Sequence, residues 1–126
     1  MKIIITIFLL ASSIFASGIN FEKSLDIAKE KALTQNKKIM IMYSTPTCPE
    51  CNYMKKKVFK DKNIISYLNN NYISVVMDIN EDKDKLPFDF IGIPTFYFTD
   101  KNMNLLAKKI GGSREDEFLE TIKSVK

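Results

Sequence analysis

Two cysteines stand three positions apart in Cys48-Pro49-Glu50-Cys51, and they are the only thiols in the chain. An apolar run, Ile39 to Tyr43, leads into them, and Asn52-Tyr53-Met54-Lys55-Lys56-Lys57 follows. That succession reads as a strand delivering two thiols to the mouth of a helix. There the first sulfur meets unpaired backbone N–H groups and the positive end of the helix dipole, which favour thiolate over thiol. A thiolate is the nucleophile of disulfide exchange. A second sulfur one turn further on can attack a mixed disulfide held by the first and release the partner. The predicted chemistry is therefore thiol-disulfide exchange through Cys48 and Cys51.

Other uses of the pair fit less well. A bond between residues so close in sequence closes a very small loop and constrains the unfolded chain by only about 2 kcal/mol. A structural zinc site needs four ligands, whereas this pair supplies two and the chain contains no His. Covalent haem would need His directly after Cys51, and Asn52 is there. The expectation is a site with no metal and no cofactor beyond the redox-active Cys48-Cys51 disulfide.

The chain that must position these residues has 126 residues, 45% of them hydrophobic, which suits one globular domain. Its first stretch stands apart. Lys2 is positive, Ile3 to Leu10 is apolar, and Ala11 to Gly18 is small and weakly polar, the pattern of a secretory signal peptide. The apolar run is shorter than the roughly 20 residues that span a bilayer, so a cleaved leader is preferred to an N-terminal anchor. The expected division is a leader over residues 1–17 and a single domain over 18–126. Lys and Arg number 19 against 15 acidic residues, interspersed along the chain, which excludes a nucleic-acid footprint. Lys55, Lys56 and Lys57 read as a solvated helix face.

Taken in order, Asn20 is a candidate N-cap for an amphipathic helix carrying Phe21, Leu25, Ala28 and Ala32, with a short edge strand over Ile19 to Phe21 as the alternative start. Ile39 to Tyr43 is apolar throughout, as in a strand buried on both faces. From Pro49 to Leu68 the pattern is helical, either one kinked helix or two short ones with Asp61 as a cap, and Tyr72 to Ile79 is a second strand parallel to the first. Leu86 to Phe90 reads as a short helical connector. Thr95 to Thr99 and Leu105 to Ile110 form a hairpin, with Phe96, Tyr97 and Phe98 as packing residues. Ser113, with Asp116 three positions on, is expected to cap a last helix whose apolar face is Phe118, Leu119, Ile122 and Val125. The fold class is α/β, a central mixed sheet with helices on both faces.

This order of elements, with Cys48-Pro49-Glu50-Cys51 before a helix and Gly92-Ile93-Pro94-Thr95 at the head of a hairpin, resembles the thioredoxin superfamily, and within it the small exported thioredoxin-like proteins of the bacterial envelope. The resemblance covers nearly all of the chain after the leader. It implies that Cys48 attacks, that Cys51 resolves, and that Pro94 is a cis-proline lying against the disulfide. Ile93 beside it would pair with an extended substrate peptide, with Thr47 and Pro49 on the same rim. It also implies a periplasmic monomer whose partners are disulfides of exported proteins or apocytochrome c and a membrane-embedded thiol electron donor.

Two positions depart from the family pattern. Thioredoxins carry a buried acid six positions before the first motif cysteine, where this chain has Met42, and a Trp just before that cysteine, where it has Thr47. Glu50, or water, could serve as the proton acceptor that Met42 cannot be. Its charge would also disfavour the Cys48 thiolate and so make the pair a better reductant, with Lys55, Lys56 and Lys57 pulling the other way, although a carboxylate in a first helical turn is equally ordinary compensation of the dipole. By resemblance alone, Ile93 before Pro94 implies a reductase, since reducing thioredoxins commonly carry Ile at that position. The alternatives are a disulfide oxidase or isomerase, and a peptide-binding module in which the disulfide is merely structural.

Overall fold

In the computed structural model, which describes residues 18–126, the chain runs β1 (Phe21–Glu22), α1 (Leu25–Gln35), β2 (Lys38–Ser44), α2 (Pro49–Lys56), α3 (Lys62–Asn71), β3 (Tyr72–Asp78), β4 (Thr95–Thr99), β5 (Leu105–Ile110) and α4 (Glu115–Ser124). Single 3-10 turns occupy Val58–Lys60 and Lys83–Lys85. The leader expected over residues 1–17 lies outside the described residues. Among those described, no helix is long and apolar enough to cross a membrane.

The strands form one mixed sheet in the order β1-β3-β2-β4-β5. The central strand, β2, runs parallel to β3 and antiparallel to β4. It is apolar without alternation because both of its faces are covered. On one face Met40 and Met42 pack with Cys51 and Met54 of α2, Leu68 of α3 and Phe118 of α4. On the other, Ile39, Ile41 and Tyr43 meet Ala28 and Ala32 of α1. Residues of β4 divide in the same way, Phe96 and Phe98 to the first cluster and Tyr97 to the second. The expected α/β architecture, a mixed sheet between helices, is thus present.

Some boundaries differ from the sequence reading and others decide between its alternatives, each for a physical reason. The first helix is capped by Ser24, whose Oγ accepts from the Ile27 amide at 3.2 Å, and not by Asn20. Upstream of that cap the alternative start holds, a short edge strand, which covers Phe21 and Glu22 rather than Ile19 to Phe21 and pairs with Ser74 and Val75. Between Cys48 and Tyr72 the arrangement is the expected one of two short helices with Asp61 as a cap: the chain tightens into a 3-10 turn and Asp61 then accepts from the amides of Asn63 and Ile64.

Leu86 to Phe90 forms no helix. Pro87 disfavours helical backbone at Leu86, which is extended, and two tyrosines from the sheet take over the main-chain polar groups. The Tyr43 hydroxyl donates to Phe88 O and accepts from Phe88 N–H, both at 3.0 Å, while the Tyr97 hydroxyl donates to Asp89 O. Ser113 is not the cap of the last helix. Arg114 occupies that position without a side-chain bond. Ser113 is drawn inward, its N–H against Met54 Sδ at 3.4 Å, and its Oγ has no partner among the described residues.

Candidate active site

At the C-terminal end of β2 the chain turns through Thr45, Pro46 and Thr47 before α2 begins. Asn52 braces this turn by donating from Nδ2 to Pro46 O at 3.0 Å. Cys48 is the N-cap of α2, extended at φ −79° and ψ 114°, and its Sγ accepts from the Cys51 amide at 3.2 Å. Sulfur thus takes the place that a capping oxygen usually fills, satisfying one of the free N–H groups of the first turn. Pro49 follows at the position where its missing N–H costs nothing. Glu50 lies in the first turn and Lys55 and Lys56 in the last, charges that complement the helix dipole at both ends.

Cys48 and Cys51 are joined in a disulfide, their Cα atoms 5.2 Å apart. The two sulfurs are not equivalent. Cys48 is half-buried at the rim, flanked by exposed Thr47, Pro49 and Glu50, whereas Cys51 is fully buried. A partner disulfide can therefore reach the first sulfur and not the second. Attack at Cys48 and resolution from behind by Cys51 is the order that this exposure permits.

The second part of the site comes from β4. Tyr43 pairs with Thr95, so the end of β2 that leads into the cysteine turn lies beside the start of β4. Pro94 sits there, buried, after a cis Ile93-Pro94 peptide bond. Its carbonyl accepts from the Gly111 amide at 2.8 Å, and Thr95 Oγ1 donates to Gly92 O at 2.6 Å, so both sides of the proline are fastened. Gly111 makes that bond with a φ of +86°, a conformation open to glycine and strained for other residues. Ile93 is half-buried between the two core clusters, and Ile91 is 88% exposed beside it.

Glu50 turns toward the loop after β5. Its carboxyl carbon lies 3.8 Å from where a Cβ on Gly112 would sit, and Met54 Sδ lies 3.4 Å from the same point. Met42 is fully buried in the cluster that holds Cys51 and Met54, so the position behind the Cys51 sulfur is apolar. Lys55 departs from the solvated face expected of it: half-buried, it donates from Nζ to Ser44 Oγ at 2.8 Å. The signal that could have found this contact is its spacing of four from Cys51, which puts the two on one side of α2.

A family profile described as a thioredoxin-like domain matches residues 25–126. The chain belongs to the thioredoxin-like domain family. Among solved structures, it superimposes on the DsbH oxidoreductase with a TM-score of 0.71 at 18% identity, covering 86% of this chain and 85% of that one. A thioredoxin from Thermus thermophilus gives 0.68 at 17% identity, over 84% and 85% of the two chains. Identities this low speak for the fold. Spermatogenesis-associated protein 20 of Rattus norvegicus is 35% identical over 66 residues, which are 51% of this chain and only 8% of that protein. The thioredoxin-like domain thus carries a cysteine pair of the redox type in the fold that thiol-disulfide oxidoreductases use.

Proposed function

We propose that this thioredoxin-like domain is a periplasmic thiol-disulfide oxidoreductase working as a reductase. It acts as a monomer, passes electrons to disulfides of exported proteins or of apocytochrome c, and is kept reduced by a membrane-embedded thiol donor. The observation that carries the reading is the unequal exposure of two bonded sulfurs at the start of α2, with Cys48 reachable and Cys51 sealed.

In the reaction, the Cys48 thiolate attacks one sulfur of the substrate disulfide. A Cys48-substrate bond forms, the substrate bond breaks, and the departing sulfur takes up a proton. Cys51 then loses its proton and attacks Cys48 Sγ, releasing the second substrate thiol. The substrate gains two electrons and the Cys48-Cys51 pair gives them up. Ile93 and Pro94, with Thr47 and Pro49 opposite, form the rim on which an extended peptide would lie as an added strand. Glu50, negative and near Cys48, favours the oxidised pair and hence the reducing direction.

Two measurements test this. Cys51→Ser should accumulate mixed disulfides through Cys48 whose partners are exported proteins. Failure to capture any, with Cys48 still open to alkylation, would refute the reading. The equilibrium of the pair against glutathione gives the direction: a potential of about −270 mV supports a reductase and one of about −120 mV an oxidase.

A further inference from the structure

Three charged residues belong to α2, and of these Glu50 and Lys56 are exposed while Lys55 is drawn in. Its ammonium meets Ser44, which is 1% exposed. Ser44 lies two positions beyond Met42 on β2 and so on the same face of that strand, the face that packs against Cys51. Lys55 is also one turn beyond Cys51 along α2, a spacing that brings Cβ atoms to about 5–6 Å. A cation and the resolving sulfur therefore lie on one side of the helix, over one end of one strand. We propose that Lys55, anchored by Ser44, is a positioning residue that stabilises the thiolate of Cys51, doing by charge what a carboxylate behind that sulfur would do by accepting its proton.

The physical need is plain. Cys51 is fully buried beside Met42 and Met54, surroundings that disfavour an ionised sulfur. A nearby positive charge offsets this, and its own burial is softened on two sides. Ser44 Oγ accepts from it, and it borders an open cleft of about 60 Å³ lined by Ser44, Thr45, Pro46, Lys55, Val76 and Asp78, space enough for water. Asp78 is the one other charged residue lining this cleft. Glu50 leans on Gly112 at the rim. Asp78 is engaged by the amides of Asn80 and Glu81.

In the resolving step the Cys51 thiol releases its proton to solvent. Its thiolate attacks Cys48 Sγ of the mixed disulfide, the Cys51–Cys48 bond forms, and the bond from Cys48 to the partner sulfur breaks. The partner leaves as a thiolate and is protonated.

This inference rests on Cys51 being the resolving thiol, but its readout is the ionisation of one sulfur and not turnover, so the two fail separately. In a Cys48→Ala background, the ultraviolet absorbance of the Cys51 thiolate is followed against pH. Lys55→Met is expected to move ionisation up by about one pH unit, leaving about tenfold less thiolate at a given pH. Lys55→Arg should stay near the parent, and Ser44→Ala, which frees the ammonium, should shift partway in the same direction. Coincident curves for folded Lys55→Met and the parent would overturn the proposal. Equal shifts for Lys55→Met and Lys55→Arg would also overturn it, because they would mean that packing and not charge is at work. Should Lys55→Met fail to fold, an unshifted Ser44→Ala together with an unshifted Lys55→Gln would do the same.

Discussion

Replacing Met42 by Glu tests how sealed the space behind Cys51 is. Met42 is fully buried, registered between Val76 of β3 and Phe96 of β4, and packed in the cluster of Cys51 and Met54. Glu matches Met in length, so little cavity is left. A neutral carboxyl buried there without a partner costs about 1–3 kcal/mol, and Met42→Gln should cost about the same. The two variants separate with pH. Desolvation raises the native carboxyl above the value of about 4.3 that it has in the unfolded chain, so as pH rises the unfolded chain gives up its proton first. Stability is complete below about pH 4.3 and then falls by about 1.4 kcal/mol per pH unit until the native group ionises. A rise of about three units, within the range known for buried carboxyls, makes the Glu variant about 4 kcal/mol weaker than the Gln variant near pH 8. Urea unfolding of both across this range is the assay. Coincident stabilities at every pH, found also when Lys55→Met removes the cation anchored at Ser44, would place residue 42 within reach of water, and the account of a sealed space behind Cys51 would be wrong.

Tyr43→Phe removes the hydroxyl that bridges both main-chain groups of Phe88. A loss of about 1–3 kcal/mol is expected, together with faster hydrogen exchange at the Phe88 amide. Burial also pushes that hydroxyl up to about 12, against about 10 when unfolded. The parent should therefore lose its advantage over Tyr43→Phe as pH rises from about 10 to about 12, which alkaline denaturation would reveal. In the β4–β5 turn, hydrogen bonds from Asn104 above all hold the Asp100 carboxyl below its usual range. Asp100→Ala should be less stable than the parent at neutral pH, with the gap closing as the pH falls through and below about 3.9, read by denaturation on the acid side.

What could be read in advance follows from how local each signal is. The strands of the central sheet announce themselves because burial on two faces demands unbroken apolar runs, and the hairpin because Phe96, Tyr97 and Phe98 alternate between two cores. The cysteine turn and Pro94 carry signatures within four residues. Misreadings fell where a distant partner outbid a local one. Ser113 has the spacing of a cap, yet Met54, 59 positions away, takes its amide. Leu86 to Phe90 has helical composition, yet Tyr43 and Tyr97 fix its backbone from the sheet. Lys55 looks like part of a lysine run, and only the packing of α2 on β2 brings it to Ser44.

The two tyrosines have a further consequence for how the surface beside Pro94 can change. Their hydroxyls grip main-chain atoms of residues 88 and 89 and no side chain, so the fastening is indifferent to what stands at 91, where Ile91 points almost wholly into solvent. The border of the site is in this sense an interchangeable collar: its outward residues can be rewritten, by selection or by design, while the sulfurs, the proline and the sheet beneath keep their places.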